Sequence, residues 1–503
     1  MTDESDVSFD EDTSSPAERA SIRQNVFHML SSQLFTWMLA TVLAVVVPRY
    51  VGTDTQGQLR LATSLWTIGG IFIAMGTSEY LRLEIARTSR KGLRYVGPVL
   101  VIRTLSFLVT SIAIGIYVLL AESDRSFVLI VTFVGGAVLI GTWNDVIGSA
   151  FVGMERMTVP AIGAAVTKLL LAVGVVAVIL RDGGVYGILA VGVVVGLCGL
   201  GWIVWKFRKT ASITVRGWMS VSSRIVRASV PFMAAGAALV IYQQIDVVVI
   251  SWVAGDAALG WYSTADALFG SLLFPATIVM GTVFPTMGRL HQDDPEALKV
   301  LLKRAFEALV LVAVPIGLGT TLIATRFAPI LYGEAYRKTG PVLAVLGPVI
   351  VLTFGTILFG TVALATGRNT LWVRLLLGCA ALTVLLDLLL VPWADDRFAN
   401  GAIGGAIAYT ITESIQLAVG IWKIAPFVAR RPTVSYAGRV LLAGGIMLAA
   451  GWPLRDFALP VPIAVCSIVY LLAVVGLRVL TGDQRRMLGD VMSRLGIRRG
   501  STT

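Results

Sequence analysis

Fourteen stretches of roughly twenty mostly apolar residues, separated by short charged or Gly/Pro-containing segments, constrain this chain more than any other feature. Each is long enough to cross a bilayer as an α-helix. The stretches run from 27 to 47, 61 to 81, 96 to 120, 127 to 151, 159 to 180, 185 to 205, 230 to 253, 261 to 286, 306 to 324, 342 to 365, 372 to 391, 402 to 421, 437 to 452 and 459 to 477. With 56% hydrophobic and 14% charged side chains over 503 residues, no soluble core needs that much apolar surface. The expected fold class is therefore all-α, a polytopic membrane protein with about 14 transmembrane helices.

A formal charge of +11 would suggest nucleic acid in a soluble chain, so the placement of the charge matters. With the N-terminus inside and alternating spans, the inner segments collect 29 of the 41 Lys and Arg, the outer loops 9 and the spans 3. Positive charge beside the inner membrane face accounts for the basicity, and no nucleic-acid partner is expected. Both termini are placed in the cytoplasm, and the protein in the cell (plasma or inner) membrane. Residues 1–26 read as a disordered acidic tail; Asp3, Glu4, Asp6, Asp10, Glu11 and Asp12 lie in it, and it lacks the pattern of a signal peptide. The outer loops are too short for a domain of their own. Two inner segments, 216–229 and 293–304, mix basic and apolar residues in the manner of membrane-surface helices.

The chain is internally duplicated. The run beginning at Val51, VGTDTQGQLRLATSLW, matches AGDAALGWYSTADALF beginning at Ala254, pairing Gly52 with Gly255, Gly57 with Gly260, Ala62 with Ala265 and Leu65 with Leu268. Met-Gly-Thr at Met75 recurs at Met280, and Gly184 to Gly187 matches Gly401 to Gly404, an offset that also carries Trp205 and Lys206 onto Trp422 and Lys423. A unit of six spans is implied. Six is even, so both copies enter the membrane in the same direction and form two pseudo-symmetric lobes facing a central cavity, a transporter's layout. The expected organisation is a six-helix lobe at 27–207, a cytoplasmic linker at 208–228, a second lobe at 229–424, two extra helices at 425–477 and a basic cytoplasmic tail at 478–503.

Ionisable groups at membrane depth are costly and usually face a cavity or a partner. Arg103, Lys168 and Arg374 fall toward the inner half or middle of their spans, where they would attract an anionic head group. Arg103 or Lys168 could instead pair with Asp145, and Arg374 could reach the interface. Asp145, Asp246, Asp266, Asp387 and Glu413 are candidate cavity or coupling acids. Tyr242, Gln243 and Gln244, just before Asp246, make a polar cluster too dense to face lipid. Three cysteines and two distant histidines suggest neither a disulfide framework nor a metal site. No G-x-x-x-x-G-K-[ST] run is present, so transport would be driven by an ion gradient or by the substrate's own gradient. The small outer loops give little room for catalytic groups, and the chain is expected not to be an enzyme and to carry no cofactor.

The stretch from Ser229 to Leu290, with Pro231, Tyr242, Asp246, Gly255, Gly260, Tyr262, Ala265, Pro275 and Pro285, resembles the polysaccharide flippases of the multidrug/oligosaccharidyl-lipid/polysaccharide (MOP) exporter superfamily. The six-plus-six layout with two added helices is similar throughout. The resemblance implies a MATE-like fold and a flippase that moves a polyprenyl- or dolichol-linked oligosaccharide from the cytoplasmic to the outer leaflet, for surface polysaccharide or glycoprotein assembly. It further implies membrane lipids, H+ or Na+ and glycan-assembly enzymes as partners, with the phosphate held by Arg103, Lys168 and Arg374. A cation-coupled multidrug extruder and a peptidoglycan-precursor flippase are the alternatives.

Overall fold

The computed structural model describes residues 38–121 and 124–479. The acidic tail, the first half of the first predicted span and nearly all of the basic tail lie outside the described residues. Among the described residues there are helices and no strands. Eleven helical stretches are long and apolar enough to cross a membrane, and two shorter apolar helices flank them.

Helix α1 covers Met38–Val51. The next six are α2 Thr53–Ala74, α3 Thr77–Thr88, α4 Val96–Leu120, α5 Arg125–Gly153, α6 Thr158–Ile179 and α7 Gly184–Arg208. The second half holds α8 Trp218–Leu272, α9 Phe274–Asp293, α10 Pro295–Tyr332, α11 Thr339–Ala365, α12 Asn369–Phe398 and α13 Ala402–Val419. The two added helices are α14 Arg431–Gly451 and α15 Pro460–Gly476. Among the described residues each predicted span falls mainly on helix, and the fold is the expected all-α bundle.

The helices depart from the simple span pattern in three places. The second span is broken at Met75 and Gly76, both with positive φ, and Gly76 presses on the backbone of Ser229 and Met233 where a Cβ would clash at 2.5 Å. The seventh and eighth spans are not separated by a loop, because α8 continues through a bend at Gly255. The two segments expected to lie on the membrane surface are helical, but they are the first turns of α8 and α10 and run straight into spans. Polar residues there extend an apolar helix beyond the bilayer, which sequence periodicity alone does not distinguish from a separate surface helix.

Packing follows the duplication. Gly52 (φ 82, ψ 172) and Gly255 (φ 79, ψ −178) adopt the same extended, positive-φ conformation, open to glycine and costly for other residues. Each redirects the chain into a helix whose next-turn glycine meets the other helix. A Cβ on Gly57 would sit 2.0 Å from the Asp256 carbonyl, and one on Gly260 would sit 2.1 Å from the Thr53 carbonyl. Since 53 pairs with 256 and 57 with 260 in the repeat, this crossing is reciprocal. Small residues admit such backbone approach, and dispersion between closely packed helices replaces the hydrophobic drive that lipid does not supply. The added helices pack on α10, where Tyr470 donates to the Leu311 carbonyl at 2.7 Å and Gly444 fits against Val314. Many large apolar side chains, such as Val109 on α4, Val173 on α6 and Leu389 on α12, face outward, as a lipid solvent requires.

Candidate functional site

The intramembrane charges fall into separate groups, and Arg103 heads the first. It is fully buried at 1% exposure, because α4 places it opposite the break between α2 and α3 and the middle of α5. Its Nε donates to Thr77 Oγ1 at 2.8 Å, and one terminal nitrogen donates to Asp145 Oδ2 at 2.8 Å and to the Thr142 carbonyl at 3.4 Å. The other donates to Ser78 Oγ, which also donates to Asp145. Four of the five N–H donors of the guanidinium thus have partners, and the planar fork suits this bridging of two helices. Arg103 is heavily committed in this conformation, with one N–H left without a partner among the described residues.

Asp145 nevertheless reaches beyond the pair. Its half-exposed carboxylate lines a cleft of about 420 Å³ between α5, α6 and α7, together with Arg82, Asn144, Thr167, Lys168 and Trp202. Arg82 pairs with Glu79 at 2.7 Å. The Lys168 ammonium has no hydrogen-bond or ion-pair partner among the described residues, so the cleft offers one uncommitted cation. Arg374 is exposed near the start of α12, likewise without a partner among the described residues, and the fold places it on a different helix group. The structure therefore pairs Arg103 with Asp145, puts Lys168 in the cleft that Asp145 also lines, and leaves Arg374 apart.

The acids of the second half form two buried centres. Asp246 on α8 accepts from the Tyr262 hydroxyl across the bend and from its own next backbone amide, Val247, at 2.8 Å. Asp387 on α12 is fully buried, and neither of its carboxyl oxygens has a hydrogen-bond partner. Both acids are buried at membrane depth, where an unpaired carboxylate is costly. Glu413 on α13 forms the other centre, accepting from Tyr242 at 3.0 Å, Thr353 at 3.1 Å, Thr356 at 2.8 Å and Gln416 at 3.4 Å. Tyr242 is thereby committed to the interior. Gln243 is exposed, whereas Gln244 uses its backbone carbonyl to accept from Ser64 of α2 at 3.1 Å.

That last bond belongs to the seam between α2 and α8, which also holds Asp266. Its carboxylate pairs with Arg60 at 2.7 Å, one helical turn beyond the Gly57 crossing. Gln58 extends the seam, donating to Asp256 at 3.1 Å and accepting from Ser126 at 3.2 Å. Arg60 is the residue sequence reasoning missed, since it stands one place before the second predicted span and reads as a loop charge. An arginine and an acid placed just after equivalent glycines of the two copies was the available signal.

Comparisons with known proteins bear on the family and the fold. The family model described as polysaccharide biosynthesis protein matches residues 22–291, a region that contains the Ser229 to Leu290 stretch. No curated protein matches the sequence. Among solved structures, the lipid II flippase MurJ in an inward closed conformation is similar over 90% of this chain and 99% of its own, with TM-score 0.74 and 14% identity. An inward-facing multidrug resistance MATE family transporter of the MOP superfamily is similar over 79% of this chain and 96% of its own, with TM-score 0.61 and 16% identity. A Vibrio cholerae MATE transporter follows at TM-score 0.56 and 15% identity, covering 82% of this chain and 99% of its own. These likenesses establish the fold as that of MOP superfamily membrane proteins, and since the family model spans more than half of the 503 residues, the chain belongs to the polysaccharide biosynthesis protein family.

Proposed function

We propose that this protein is a flippase that carries a polyprenyl- or dolichol-linked oligosaccharide from the cytoplasmic to the outer leaflet of the cell membrane for surface polysaccharide or glycoprotein assembly. The reciprocal crossing of α2 and α8 carries this reading. Two helix groups whose nearest approach is backbone to backbone at Gly57 and Gly260, flanked by the polar pairs Gln58–Asp256 and Arg60–Asp266, can separate at that end as rigid bodies. In this reading the lobes are 27–207 and 229–424, the added helices are 425–477, and the crossing closes the outer side. The cleft holding Lys168 then opens toward the inner half of the membrane, where an anionic phosphate would meet an unpaired ammonium while the lipid chain stays in the bilayer. Asp246 and Asp387 supply a place for a coupling H+ or Na+.

Depletion of the protein in its host, followed by quantitation of lipid-linked glycans on each membrane face, tests the proposal. A completed, cytoplasm-facing oligosaccharide lipid should accumulate. Accumulation of a peptidoglycan lipid precursor would reassign the substrate to the kind that the name of the MurJ structure specifies. Unchanged lipid pools with raised sensitivity to cationic drugs would favour an extruder.

Two variants probe the machinery. Lys168 is exposed in the cleft, and Lys168→Ala should slow flipping by about tenfold, the worth of one charge-assisted hydrogen bond, while Lys168→Arg retains most of the rate. Equal rates for Ala and wild type in a reconstituted assay would remove Lys168 from the site. Asp387→Asn should leave the protein folded and make the rate insensitive to an imposed ion gradient. A rate that still follows the gradient would place coupling elsewhere.

A further inference from the structure

Two aromatic-cationic stations stand at equivalent ends of the duplicated halves. At the end of α7, Lys206 and Lys209 lie 5.2 and 3.8 Å from the Trp205 ring centre, and that ring is 51% exposed. In the turn following α13, Lys423 lies 3.5 Å from the centre of Trp422, a ring 68% exposed. Exposed Arg208 flanks the first station, and exposed Arg430 and Arg431 flank the second. None of the three lysines has a hydrogen-bond acceptor or carboxylate partner among the described residues.

The opposite ends of the helices provide an internal contrast. There Arg455 also stacks on Trp452 at 4.5 Å, but Asp456 stands 3.6 Å from it. Lys338 stacks on Trp261 at 4.5 Å and donates to the Ala399 carbonyl. These two stacked cations are engaged, and those of the two stations are free. An indole settles at the junction of hydrocarbon and head groups, and an ammonium fixed over it is held at phosphate depth.

We propose that these two stations bind the head groups of anionic phospholipids in the leaflet that surrounds them, one site on each lobe. The inner leaflet is meant if the proposed orientation holds. The bound lipid is membrane solvent captured at the rim, distinct from any transported substrate. Three unneutralised ammoniums at an anionic surface predict a several-fold preference for phosphatidylglycerol over phosphatidylcholine.

The test uses the full chain in phosphatidylcholine vesicles containing either spin-labelled phosphatidylglycerol or spin-labelled phosphatidylcholine, with the motionally restricted fraction read by electron paramagnetic resonance. Wild type should favour the anionic label about fivefold. Combined Lys206→Gln, Lys209→Gln and Lys423→Gln should bring the ratio close to one. Trp205→Leu with Trp422→Leu, which keeps every charge, should lower it about twofold. Arg87→Gln with Lys91→Gln, removing charge from a part of the same end whose aromatic rings, Tyr80 and Tyr95, are buried, should leave it unchanged. No preference in wild type, or an equal loss in this last variant, overturns the proposal. The measurement needs no transport substrate, so a failed flippase assignment leaves its result standing.

Discussion

Leucine at Gly57 or Gly260 is expected to abolish flipping while the protein still inserts and folds. A Cβ alone would lie 2.0 Å from the Asp256 carbonyl or 2.1 Å from that of Thr53, so neither helix can accept a side chain at its present separation. Accommodation requires the crossing to open by several ångströms, roughly the difference between a glycine contact and ordinary packing of larger side chains. The opening would part Arg60 from Asp266 and Gln58 from Asp256, removing the polar bonds beside the crossing. The variant should therefore be trapped open at this end. Labelling of cysteines placed at 60 and 266 by an impermeant reagent should rise, and transport in vesicles should fall to background. Normal transport by both leucine variants would show that the closed crossing is not part of the cycle. Because the contact is reciprocal, Gly57→Leu and Gly260→Leu should produce the same phenotype.

Arg103→Ala should be the most destabilising single substitution among the intramembrane charges. It removes a guanidinium that joins α4 to Thr77, Ser78 and Asp145, leaving a carboxylate at membrane depth without its cation. Breaking a fully buried pair by deleting one partner costs about 3–5 kcal/mol, and with the Asp145 carboxylate half-exposed the loss is expected below that range. Removing Asp145 as well should restore part of that loss, since the second deletion removes the uncompensated charge. Thermal or denaturant unfolding of the purified protein would measure the coupling. If Arg103→Ala unfolds like wild type and only substrate binding suffers, the arginine is a head-group ligand and its bonds to Thr77 and Asp145 are dispensable.

This expected outcome also shows where sequence reasoning met its bound. Charge type and depth made Arg103, Lys168 and Arg374 look alike, each an expensive cation in an apolar run. Partner geometry sorted them: Arg103 is consumed by Asp145, Lys168 is left free in a cleft, and Arg374 lies exposed on another helix group. Likewise the dense polar run before Asp246 divides: Tyr242 donates to Glu413, Gln243 is exposed, and the Gln244 backbone carbonyl accepts from Ser64. A helix turns about 100° per residue, so neighbours in sequence face different surroundings.

What the sequence determined by itself is the solvent, the helical class and the duplication. Lipid admits only self-satisfied backbone for a chain of such apolar runs, and the paired glycines recur at one offset because two copies make the same crossing. Only the tertiary structure decided that Gly57 and Gly260 meet the opposite carbonyls, that Arg60 finds Asp266, and that Asp387 is left without a partner. Residue types and their spacing set what each group can do, but whether a charge is committed or free depends on which side chains other helices bring within hydrogen-bonding distance.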